Sequence, residues 1–98
     1  MRTDTVEQLF VRRRAGRISL LMVLESPAGE RERETLMAPT ASPEEAVRFA
    51  ARHLGRRGIR PAARVRVRVE RGGSLVDDAP LRDTFVRALK REGEERWD

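Results

Sequence analysis

Apolar and polar residues change places along this chain with two different periods, and the first blocks read as strands. Residues 5–13 (TVEQLFVRR) are rich in strand formers, and the turn Arg14-Ala15-Gly16-Arg17 leads into a second run at 18–25. In that run Leu20, Met22 and Leu24 fall on one side, Leu21 and Val23 on the other. Apolar residues on both sides call for cover on both faces, so this strand is expected at the centre of a sheet. After the loop at 26–30 (SPAGE), residues 31–38 (RERETLMA) begin with charges of alternating sign, the mark of an exposed edge strand.

The period then becomes helical. Ser42-Pro43-Glu44-Glu45 places a hydroxyl at N-cap, proline at N1 and a glutamate at N3, the pattern of a capping box. Val47, Ala50, Ala51 and Leu54 follow at i, i+3, i+4 and i+7 as one buried stripe, with Gly55 or Gly58 as the stop. Arg48, Arg52 and Arg56 recur every four residues on the opposite face. Period two returns at 63–71 (ARVRVRVER), entered through Arg60-Pro61, with Val65, Val67 and Val69 alternating with Arg64, Arg66 and Arg68. Gly72-Gly73 is a two-residue hairpin turn into a short return strand at 74–76, which sets Val76 opposite Val69. Asp78 caps a second helix with Pro80 in its first turn and a stripe of Leu81, Phe85, Ala88 and Leu89. Gly93 is the expected stop of that helix.

The order β-β-β-α-β-α predicts a single α+β domain over 1–93 with a polar C-terminal tail at 94–98. The helix that crosses from the third strand to the fourth is expected to be right-handed, which sets the fourth beside the first and gives the sheet order 3-2-1-4. This layout is similar to the opening half of ribonuclease-H-like folds, a likeness of element order alone. That architecture implies acids on the first strand, the first helix and the fourth strand, gathered around two metal ions. The acids in those places are Glu7, Glu45 and Glu70, with Asp77 and Asp78 beyond the turn. Glu45 and Asp78 are accounted for as caps, and Glu70 shares its face with Arg64, Arg66 and Arg68 and is expected to pair with them. Too few acids are left for a two-metal hydrolase, which is the weakest reading.

Composition narrows the chemistry further. The chain has 98 residues, an apolar share of 39% and a charged share of 38%, so its core is thin, and such a core gains from a partner subunit. It has no cysteine, which removes disulfides, thiolate catalysis and cysteine–zinc sites and points to the cytoplasm. The longest apolar run, 18–24, is too short to span a bilayer, and the first residues do not read as a secretory signal. The lone histidine, His53, sits on the flank of the first helix's buried stripe with no announced partner for catalysis or metal binding; it reads as a packing or surface residue. No enzyme and no cofactor are expected.

Net charge is +5, and 20 of 21 basic residues are arginine, a skew that GC-rich coding produces without selection for binding. Position says more. Residues 48–71 carry nine arginines against the single acid Glu70, whereas 30–47 hold five acids and two arginines. If the valines of the fourth strand face the helices, Arg64, Arg66 and Arg68 lie on the far side of the sheet, beside Leu21 and Val23 or, in the other register, Leu20, Met22 and Leu24, as an exposed patch rimmed by charge. That surface predicts a non-catalytic protein-interaction or assembly module, a homodimer through the open sheet face, or one that meets an acidic protein. Its interface residues would be Leu21, Val23, Arg64, Arg66, Arg68 and Trp97, since tryptophan is a frequent interface anchor. The alternative is nonspecific binding to a nucleic-acid backbone through Arg56, Arg57 and Arg60 at the helix–strand connection together with Arg64, Arg66 and Arg68. Single-strand binders interleave aromatics with such a row, and this chain has three phenylalanines, one tryptophan and no tyrosine.

Overall fold

Strands β1 (Thr5–Arg14), β2 (Arg17–Glu25) and β3 (Arg31–Ala38) precede helix α1 (Pro43–Arg56), and β4 (Arg60–Arg71), β5 (Ser74–Asp77) and helix α2 (Ala79–Arg96) complete the chain. The computed structural model describes residues 3–96; Trp97, expected at an interface, lies outside the described residues. The five strands form one sheet in the order β3-β2-β1-β4-β5. Pairing is antiparallel except between β1 and β4, which are parallel. The α+β class and the expected 3-2-1-4 order hold, and β5 extends the sheet by the short return strand.

The turns follow from residues that accept positive φ. Arg14 pairs with Arg17 across Ala15 (φ 52°) and Gly16 (φ 76°), and Arg71 pairs with Ser74 across Gly72 (φ 57°) and Gly73 (φ 82°). Positive φ at both central positions suits the right-handed twist of the flanking strands. The second hairpin sets Val69 opposite Val76, as the two glycines imply.

Val65 and Val67 are 1% exposed and Val69 7%, so the valines of β4 do face the helical layer. There they join Leu9 and Val11 of β1 and Ile18, Leu20, Met22 and Leu24 of β2 against Val47, Ala50 and Leu54 of α1 and Phe85 and Leu89 of α2. In β1 the buried positions run 6, 9 and 11 because the register slips between Val6 and Gln8, a bulge that puts one extra residue into the strand.

Both helices start at the expected caps, but the capping box at α1 is half closed, because the Ser42 N–H goes to Thr40 and not to Glu45. Ser42 Oγ accepts the Glu45 N–H at 3.4 Å, while the Ser42 N–H donates to Thr40 Oγ1 at 3.1 Å. Asp78 Oδ1 accepts the Leu81 N–H at 3.0 Å. Their ends are less regular. Gly58 (φ 77°) follows α1, and Gly55 lies inside it, buried against α2. Gly93 does not stop α2, which continues to Arg96, so residues 94–96 of the expected tail are helical. A single glycine costs a helix only about 1 kcal/mol and gives way when flanking residues carry the helix on.

Candidate docking face of the sheet

All the helical packing is on one side. Residues of the other side alternate with the core positions along every strand, and the ladders place them in rows across the sheet. One row reads Thr35, Leu21, Phe10, Arg68, Asp77, and the next reads Arg33, Val23, Gln8, Arg66. Ser19 joins Arg12 to Met37 in a third row. Phe10, Leu21 and Val23 thus form an apolar centre on the adjacent inner strands β1 and β2. Across the ladders and along the strands, that centre is bordered by Arg12, Arg33 and Arg68 against one carboxylate, Glu25.

The sequence places Leu21, Val23, Arg64, Arg66 and Arg68 on this face, and the register sets Arg68 in the row of Leu21 and Arg66 in the row of Val23, while Arg64 lies one alternation further along β4. The structure differs in how open they are. Val23 is only 8% exposed and Leu21 is half-buried, so they are a floor and not a protruding patch. Their neighbours Gln8, Arg33 and Phe10 have long side chains that shelter the middle of a five-stranded sheet. The large apolar group that does stand out is Met37, 45% exposed, on edge strand β3. Reading the sequence strand by strand overlooked Phe10, Met37, Arg12 and Arg33.

The cations are unevenly committed. Asp77 accepts from Arg66 Nε at 3.3 Å and Nη2 at 3.0 Å, and Arg68 Nε lies 3.5 Å from Oδ1, the oxygen that also takes Arg66 Nε. These guanidiniums hold the Asp77 carboxyl below the usual aspartate range, the hydrogen bond from Arg66 contributing most. Arg64 makes no ion pair among the described residues. Glu70, expected beside these arginines, pairs instead with Arg14 at 3.3 Å. Residues two apart on one strand stand farther apart than cross-strand neighbours, so a carboxylate finds its partner sideways. At the other end of the face, Arg31 binds Glu7 at 3.0 Å, and the Glu25 carboxyl is raised, mainly by its hydrogen bond to Glu7 and then by that group's charge.

Of the arginines around the start of β4, Arg57 does not extend this face, whereas Arg60 pairs with Thr5 in the row of Glu25 and does. Arg57 donates twice to Glu34, at 2.6 and 2.8 Å, and Glu34 pairs in the ladder with the core residue Met22. That ion pair ties the end of α1 to β3 on the helical side and holds Glu34 below the usual glutamate range through the Arg57 hydrogen bond. Arg56 is the last residue of α1, and Arg60 opens β4 with its N–H on the Asp4 carbonyl at 3.2 Å. The arginines expected for polyanion binding are therefore divided, Arg57 on the helical side and Arg60, Arg64, Arg66 and Arg68 on the side of the open face. The crossover puts them close in sequence while the sheet separates them in space.

Among the described residues no group of three or more His, Cys, Asp or Glu side chains is placed to hold a metal ion, and no helix is long and apolar enough to cross a membrane. What the arrangement offers is a flat, mixed surface suited to contact, with an aliphatic and aromatic centre and guanidiniums around it. No family model, curated protein or solved structure matches the chain.

Proposed function

We propose that this protein is a non-catalytic interaction module that docks through the uncovered face of its sheet, and that the occupant of that face is a second copy of the chain. The observation that carries this reading is the one-sided helical layer, which leaves Phe10, Leu21, Val23 and Met37 facing away from the core. A domain with so thin a core gains stability by covering such a face, and a two-fold pair lets one patch serve both partners. The lack of cysteine favours a reducing compartment for it.

Sedimentation equilibrium across a concentration series tests the proposal. Both copies bring a cationic rim, so the dimer is expected to tighten as salt rises and screens the repulsion. Met37→Asp, at an exposed position, should weaken association about tenfold or more without altering the unfolding curve of the monomer. A strict monomer at millimolar concentration and high salt refutes the proposal.

A second reading rests on Phe10, which is flanked by Arg12 along its strand and Arg68 across the ladder. An aromatic ring among guanidiniums is also how an open sheet stacks and neutralises single-stranded nucleic acid. Its salt dependence has the opposite sign: affinity for an oligothymidylate should fall steeply as salt rises. No binding at low ionic strength ends this reading.

A further inference from the structure

A second surface lies at the edge of the sheet, where it shares Arg64 and Arg66 with the open face. β4 is twelve residues long and β5 four, and their ladder runs only from Arg68 to Arg71. Over 60–67, β4 therefore has no strand on its outer side among the described residues. A groove of about 380 Å³ follows that unpaired edge, between β4 and the first turn of α2. Ala63, Val65 and Val67 of β4 line it, with Arg64, Arg66 and Arg82 as its cations.

The carbonyls on this edge are held by substitutes for a strand. Val67 O accepts the Asp78 N–H at 3.0 Å, one step beyond the last paired residue of β5. Val65 O accepts from Arg82 Nε at 2.8 Å, so a side chain stands where the N–H of a neighbouring strand would. A guanidinium on a flexible stem can leave; a backbone N–H fixed in a helical turn cannot. The carboxylates nearby are already engaged, Asp77 by Arg66 and Arg68, and Asp78 by Arg71 at 2.6 Å. Among the described residues Arg64 has no such partner, and the acid beside Arg82 is the adjacent Asp83 at 3.6 Å.

We propose that this groove is a docking site for an extended acidic peptide, which adds to the sheet as a strand along β4. The peptide's N–H takes Val65 O, and the displaced Arg82 and the unpaired Arg64 meet its carboxylates. Main-chain bonds of this kind give affinity at a sheet edge, and side chains on alternate positions give selectivity. An eight-residue strand covers about 26 Å, enough to run past the whole unpaired stretch.

The probe is a blocked eight-residue peptide of alternating threonine and glutamate, titrated into isotopically labelled full-length protein with backbone amide shifts as the readout. Shifts are expected at 63–67 and at Arg82. Affinity should fall at least tenfold in Arg64→Glu, whose exposed position leaves the fold intact, and at least tenfold when alternate peptide nitrogens are methylated against the unaltered protein. The Met37→Asp variant should bind the peptide as the unaltered chain does, which separates this groove from the open face. The proposal is overturned by absence of shifts at millimolar peptide, by equal binding of the methylated peptide, by equal binding of a threonine–lysine peptide, or by an oligothymidylate that shifts the same residues with equal affinity.

Discussion

Replacing Gly55 by alanine tests how the two helices share one side of the sheet. Gly55 is buried in α1 where α2 crosses, and a Cβ there would overlap Glu92 Cβ and approach Glu92 Cγ to 3.0 Å. Two effects oppose each other. Alanine in place of glycine inside a helix gains about 1 kcal/mol of propensity. Overpacking costs about 1–3 kcal/mol, and the upper half of that range applies because a Cβ is anchored to its backbone and cannot swing aside. The overlap wins, leaving a net loss of about 1–2 kcal/mol. For a domain of this size that lowers the melting temperature by about 4–16 °C, measurable by calorimetry or circular dichroism. Glu92→Gly removes the opposing atoms at a cost of about 1 kcal/mol of propensity. In the double variant Gly55→Ala should therefore no longer harm, giving a favourable coupling of about 2–3 kcal/mol. A Gly55→Ala protein that melts at or above the parent temperature, or a pair of substitutions that merely add, would refute the close approach.

Three more outcomes follow from the turns and the carboxylate contacts. Ala15 holds φ 52° in the first hairpin, where a Cβ costs about 1–2 kcal/mol, so Ala15→Gly should raise stability by about 0.5–1 kcal/mol in urea unfolding, and a loss would contradict the turn geometry. The carboxyls of Glu34 and Asp77 titrate below their ordinary values in the folded chain, so their stabilisation is present above those ordinary values and is lost as pH falls through the lowered ones; Glu34→Gln should flatten the acid limb of the stability–pH curve. Glu25 titrates above its ordinary value, so its contribution is present below that value and is lost as pH rises through the raised one. Glu25→Gln should therefore be the more stable protein at neutral pH, and an unchanged midpoint there would contradict the contact with Glu7.

Much of this architecture could be read before any coordinates. The valines at 65, 67 and 69 declare which side of β4 is buried, and the doubly apolar β2 declares a middle position. Ser42-Pro43 and Asp78 mark both helix starts. Phe10 was legible too, but only by using the hairpin. A two-residue turn between Arg14 and Arg17 makes opposed residue numbers total 31, which sets Phe10 against Leu21 and Gln8 against Val23. The bulge before Gln8 hides this when β1 is read alone, because its buried positions no longer alternate. Other features depend on distances between elements far apart in sequence. Arg57 finding Glu34, Arg14 finding Glu70 and Gly55 yielding to Glu92 are set by how the helices and strands are laid against each other, and no local pattern encodes them.

Placing both helices on the same flank also accounts for the unusual make-up of the polypeptide. Two layers share a single dry seam, so about every second strand position must be aliphatic and its neighbours are released from that demand. Those released positions can fill with guanidinium groups, whatever drives them there, at little expense to folding. The consequence is an adaptable exterior: alternate residues can be exchanged while the scaffold beneath stays as it is.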